Sequence, residues 1–221
     1  MTPTSSLTFD RIAPVSGVAD SMVVFVHGYG ANGADLLDLA RPLGEQLPRT
    51  IFIAPDAPER CRNNPMGCQW FPIPRLDGST EEEMRTGFAH ASGQLQAFLD
   101  DRLAAEGLTP DRLVLVGFSQ GTMMSLHIAP RRPLPIGGVV GFSGRLVVPE
   151  RLEAETLSRP PVLLVHGDQD AMVPFEEMGL AGNVLVAAGF DTYGHVMKNT
   201  GHGIAPDGVA VALSFLRDRL G

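Results

Sequence analysis

Basic charge is what this sequence has little of. Seventeen Lys and Arg stand against 25 Asp and Glu in 221 residues, a formal net charge of -8, and the pI is about 5.2. No basic footprint is available for a phosphate backbone or an anionic bilayer, so nucleic acid is not an expected partner. Long apolar runs are missing too. None approaches the roughly 18 residues of a membrane span, and the opening "MTPTSSLTFDRIAPVSG" has neither the basic start nor the apolar core of a secretion signal. No stable membrane insertion and a cytoplasmic location are therefore expected. Cysteine is limited to Cys61 and Cys68, in "CRNNPMGC". The two could close a short loop, but without a secretion signal they read as reduced thiols. Neither CxxC nor HExxH occurs, so no metal site is expected. Internal repeats, low-complexity tracts and linkers are also absent. With 44% hydrophobic content, the chain is expected to form one domain over residues 1–221 around a sizeable core.

What is present alternates. Strand-like runs occur at "SLTFDRIAP", "MVVFVHG", "TIFIAP", "RLVLVGF", "IGGVVGFS", "PVLLVHG" and "DTYGHVMK", with helical patterns between most of them. This rhythm predicts an α/β fold. Several middle strands are apolar at nearly every position, as strands covered on both faces should be, so a mostly parallel central sheet with helices on both faces is expected. The clearest helix opens on a capping box, Thr80-x-x-Glu83, and carries Met84, Phe88, Ala91, Leu95, Leu99 and Leu103 at helical spacing. The one long irregular piece, residues 55–79, holds five prolines, and loops of that length in compact domains are usually functional.

Two motifs carry chemistry. In "MVVFVHGYGANGADLLDLA" an apolar strand leads into Gly28-x-Gly30-x-x-Gly33 and then a helical pattern, with Asp56 after the next strand. That is also the outline of a dinucleotide-binding fingerprint. The second motif is Gly117-Phe118-Ser119-Gln120-Gly121 between the buried run "RLVLV" and the helical "TMMSLHIA", the strand, sharp turn and helix that G-x-S-x-G requires. A serine hydroxyl is a weak nucleophile and needs a base, which in turn needs an orienting carboxylate. Candidates lie downstream, after strand ends. Asp168 and Asp170 follow "PVLLVHG", with Asp170 preferred because it stands three residues past Gly167. His202 lies in a small-residue loop before the last helix. Open α/β folds place their sites on this carboxyl edge. The other histidines read as structural: His27 and His166 precede glycines at strand ends, His90 and His127 fall in helices, and His195 lies within a strand. Ser143, in "GFSG", lacks the second glycine.

Together "FVHGYGANG", "GFSQG", "HGDQDAMVP" and the final "GHG" resemble the carboxylesterase, lysophospholipase and acyl-protein thioesterase family of small α/β-hydrolases. The resemblance runs from about residue 20 to the end. It implies a catalytic triad of Ser119, Asp170 and His202, and an oxyanion hole from the backbone N–H groups of Tyr29 and Gln120. The glycines after "VVFVH" would then bring a backbone N–H to an ester oxyanion rather than to a pyrophosphate. No cofactor is needed. The expected activity is that of a serine carboxylesterase on small-molecule esters. Acyl-protein thioesterase or lysophospholipase is the alternative, and a silent binding module or a dinucleotide-binding protein is more remote. The short connection between "GFSG" and "PVLLV" leaves no room for a lid domain. A groove walled by Trp70, Phe71 and Ile73, opposite Met172 and Val173, would accept short to medium acyl chains. A homodimer is compatible with the sequence but not specified by it.

Overall fold

The computed structural model describes residues 7–221; residues 1–6, including Ser6 of the first expected strand, lie outside them. All seven strand-like runs enter one sheet: β1 (Phe9–Ile12), β2 (Ser21–Val26), β3 (Thr50–Pro55), β6 (Leu113–Phe118), β7 (Gly138–Phe142), β8 (Val162–Gly167) and β9 (Thr192–Met197). Their order is β1-β3-β2-β6-β7-β8-β9. Only β1 is antiparallel to its neighbour; the other pairings are parallel. Two residue pairs, β4 (Glu59–Arg60) and β5 (Cys68–Gln69), form a separate small hairpin inside the 55–79 segment.

The side-chain period of two divides each central strand between two cores. Met22, Val24 and Val26 of β2 join Leu113 and Leu115 of β6 on one face. Val23, Phe25, Val114 and Val116 point to the other. The first face is covered by α4 (Glu81–Glu106), α5 (Gln120–Ile128) and α7 (Glu176–Ala187). The second is covered by α1 (Gly33–Leu37), α2 (Ala40–Gln46) and α8 (Pro206–Leu220). Two further short helices are α3 (Pro74–Asp77) and α6 (Leu152–Glu155). No described helix is long and apolar enough to cross a membrane.

The long helix forms where its capping box predicts. The Thr80 side chain accepts from the N–H of Glu83, the Glu83 carboxylate accepts from the N–H of Thr80, and Gly107 ends the helix in the left-handed region at φ 67. Its buried stripe includes Ala91, Leu95, Leu99 and Leu103. Two expectations are modified. The helix after the first glycine motif is only five residues long, and the 55–79 segment is not wholly irregular, since it contains the small hairpin and α3. Leu95 is fully buried against the sheet, so Leu95→Ala should destabilise the protein by about 2–5 kcal/mol, read as a lower urea midpoint at an unchanged m-value.

Candidate active site

Ser119 sits between β6 and α5 with φ 53 and ψ -112, a conformation of the kind that costs a non-glycine residue on the order of 1–3 kcal/mol. The surroundings over-determine it. The N–H of Ser119 donates to Phe142 O (2.9 Å), Met123 N–H donates back to Ser119 O (3.2 Å), and Thr122 Oγ1 donates to Phe142 O (2.7 Å). The flanking glycines are required by contact distance. A Cβ at Gly121 would lie 1.7 Å from Val26 O, and one at Gly117 would lie 2.5 Å from Thr122 N. Ser119 itself stays half-buried rather than enclosed. Gln120, the first residue of α5, has a backbone N–H with no intrahelical acceptor.

Asp170 follows β8 and His202 follows β9, and backbone bonds draw the two loops together. Asp168 N–H donates to Met197 O (3.1 Å) and Gln169 N–H to Thr200 O (2.9 Å). His202 Nδ1 lies 2.8 Å from Asp170 Oδ2. Asp170 Oδ1 accepts from the N–H groups of Met172 (2.9 Å) and Val173 (3.0 Å). Burial pushes the Asp170 carboxyl up, but the hydrogen bonds from His202 and from the Val173 and Met172 amides outweigh it and hold the group below the usual carboxylate range. The Phe118 ring, adjacent to Ser119 in the chain, is 4.9 Å from the His202 imidazole, so Asp170, His202 and the turn at Ser119 share one end of the sheet. Asp168 is engaged elsewhere, 3.5 Å from Lys198 Nζ. Ser143 is completely buried, and His195 pairs with Asp207 at 2.8 Å.

The Gly28 loop approaches the same point. A Cβ at Gly28 would stand 3.1 Å from the Phe118 ring and 3.4 Å from Ser119 Cβ. His27 anchors the loop from below. Its Nδ1 is 2.7 Å from Gly28 O and its Nε2 accepts from Ala57 N–H at 3.0 Å. Burial keeps its pKa below the ordinary histidine value. Tyr29 is tied through its hydroxyl, which donates to Asp77 Oδ2 (3.2 Å). Burial, with the Cys61 thiol and Asp77 beside it, raises the phenol's pKa. Asp56 is occupied structurally, accepting from Gly33 N–H (2.9 Å) and Thr8 Oγ1 (3.0 Å). Together with a first helix of only five residues, this leaves the dinucleotide outline without its acidic partner or its long helix dipole.

The expected groove wall needs correction. Trp70 is 0% exposed and Phe71 4%, so neither is a surface that a ligand can lie on. Their work is internal. Trp70 Nε1 donates to His27 O (3.0 Å), Trp70 N–H donates to Gln120 Oε1 (2.8 Å), and Gln120 Nε2 donates to Phe71 O (2.7 Å). The hydrophobic effect rewards full burial of an indole that finds a carbonyl for its N–H. Val173 is likewise buried. Ile73 is half-buried and Met172 is 46% exposed. The two segments do face one another, since Arg75 Nη2 donates to Met172 O (2.7 Å). The Gln120 side chain and Asp77 went unrecognised in the sequence, because the spacing along the chain gives no hint that segment 68–77 folds back onto the glycine loops. Cys61 and Cys68 are buried free thiols, and among the described residues no group of three His, Cys, Asp or Glu comes together to hold a metal.

Comparison with known proteins agrees with this architecture. A family model described as phospholipase/carboxylesterase matches residues 8–220. Acyl-protein thioesterase 1 of Gibberella zeae is 29% identical over 95% of this chain and 97% of its own. The namesake from Saccharomyces cerevisiae is 26% identical over the same shares, 95% and 97%. Among solved structures, the crystal structure of esterase PE8 superposes with a TM-score of 0.92 at 43% identity, covering 97% of this chain and 99% of that one. With the parallel sheet, the serine elbow and the match over nearly its whole length, the chain belongs to the phospholipase/carboxylesterase family and is an α/β-hydrolase enzyme.

Proposed function

We propose that the chain is one catalytic domain acting as a cytoplasmic serine carboxylesterase on esters of short to medium acyl chains. The observation that carries this reading is the pairing of a strained, half-exposed Ser119 with a buried Asp170 that is hydrogen-bonded to His202 at the same sheet end. His202 removes the Ser119 proton as the oxygen attacks the ester carbonyl. Asp170 fixes the imidazole with Nδ1 protonated and stabilises the imidazolium that forms. The N–H groups of Tyr29 and Gln120 receive the oxyanion. His202 then protonates the leaving alcohol, and water clears the acyl-enzyme by the same route. The same machinery would cleave a thioester, and the names of the curated relatives favour acyl-protein thioesterase as the second reading.

The acyl groove is redrawn from the burial pattern. Ile73 and Met172 are its accessible walls, while Trp70, Phe71 and Val173 back them from the interior. The connection from β7 to β8 holds only a 3-10 turn and the four-residue α6, which supports an open site.

A fluorophosphonate probe should label Ser119, and Ser119→Ala should abolish hydrolysis of p-nitrophenyl butyrate while the thermal midpoint is kept; labelling at Ser143 would overturn the assignment. Asp170→Asn should lower kcat by about 10⁴ through a wrongly held imidazole. Asp168→Asn, which loses only a rim ion pair, should change kcat little, and the reverse ranking would exchange the two acids. Each methylene buried in an apolar groove contributes about 0.8 kcal/mol. Met172→Ala should therefore depress kcat/KM for octanoate esters more than for acetate. Equal losses at every chain length would remove Met172 from the groove.

A further inference from the structure

The peptide unit that joins Met172 to Val173 is held from both sides. Its N–H, that of Val173, donates to Asp170 Oδ1 at 3.0 Å, and its carbonyl, that of Met172, accepts from Arg75 Nη2 at 2.7 Å. The unit is trans, so its C=O and N–H point in opposite directions in one plane, and a bond to either end fixes the direction of the other. Turning the plane over would withdraw the Val173 N–H from the carboxylate and bring a carbonyl oxygen toward it. A guanidinium on the outer end opposes that turn. It also polarises the unit, which makes the N–H at the inner end a better donor. The Val173 amide is among the hydrogen bonds that hold the Asp170 carboxyl below the usual carboxylate range, so whatever fixes this peptide bears on Asp170.

Arg75 acts from a firm base. It stands in α3, where Asp77 Oδ2 accepts from Ile73 N–H (2.9 Å) and the Tyr29 hydroxyl (3.2 Å) and Asp77 Oδ1 accepts from Ser79 N–H (2.9 Å). We propose that Arg75 is a positioning residue, which through the Met172–Val173 peptide fixes the N–H received by Asp170 Oδ1 and thereby the direction in which Oδ2 meets His202. This rests on the roles assigned above to Asp170 and His202. Arg75 touches neither residue; one planar peptide carries its effect.

The test measures kcat and KM with p-nitrophenyl acetate and octanoate for wild type, Arg75→Met and Arg75→Lys, and for Arg75→Met in the Asp170→Asn background. Arg75 is exposed, so each replacement should keep the fold. Methionine keeps the unbranched stem and loses every donor. It should lower kcat for acetate about fivefold, the scale of one hydrogen bond, with KM changed by less than about twofold. Lysine, which restores a charged N–H donor on a long stem, should return most of kcat. In the Asp170→Asn background, Arg75→Met should lower kcat by less than about twofold more, because effects that pass through one group do not multiply. A loss confined to octanoate would make Arg75 a support of the Met172 groove wall and overturn the proposal. A full fivefold loss repeated without the Asp170 carboxylate would overturn it equally. If Asp170→Asn by itself keeps kcat, the underlying reading fails and the proposal with it; if Asp170→Asn collapses kcat while Arg75→Met leaves it unchanged, only the role of Arg75 falls.

Discussion

Helix α5 meets strand β2 at a separation that only a bare Cα can tolerate, with Gly121 against the carbonyl of Val26, and the geometry of the site follows from that contact. With the helix start pressed so close to the sheet, the chain between Gly117 and Gly121 has no gentle path, and Ser119 takes φ 53 to make the turn. Similar closeness governs the loops that carry Asp170 and His202. A Cβ at Gly167 would lie 2.3 Å from Thr200 O, so the loops after β8 and β9 can lie against one another and bring Asp170 to His202.

The 55–79 segment is the frame of this site rather than a cover for it. Gln120 joins the serine elbow to Trp70 and Phe71, Trp70 joins the segment to His27, Asp77 reaches Tyr29, and Arg75 reaches the loop of Met172. Three separate loops are therefore positioned by one stretch of chain. Such bonds hold because they are mostly buried, where a lost partner would leave a polar group without water. His27 shows the logic in one side chain. Its ring donates at Nδ1 to Gly28 O and accepts at Nε2 from the Ala57 amide, an arrangement available only to the neutral imidazole. Burial lowers the ring's pKa and so favours the neutral form that this anchor requires.

The proposed acid-base pair is supported from beneath by the same principle. Burial disfavours the charged form of Asp170, and the Met172 and Val173 amides with the His202 imidazole replace the hydration it loses. Positioning of this kind fixes direction as well as charge.

The sequence by itself determined the seven strands, the long capped helix and the strand ends where chemistry gathers. These are encoded locally: by alternation along buried strands, by Thr80 and Glu83 three residues apart, and by glycines bracketing a serine. It also carried enough in four short motifs to indicate the family. What the sequence could not contain was the fate of "CQWFPIPRLDG". Aromatic residues in a long proline-rich stretch read equally as groove wall or as interior, because composition alone does not say which surface they meet. Only the tertiary structure decided that Trp70 lies under the site and Ile73 beside it, and that Gln120 works through its side chain. The Trp70 and Gln120 contacts join positions about 50 residues apart, and their register is set by packing against the finished sheet, which no local pattern records.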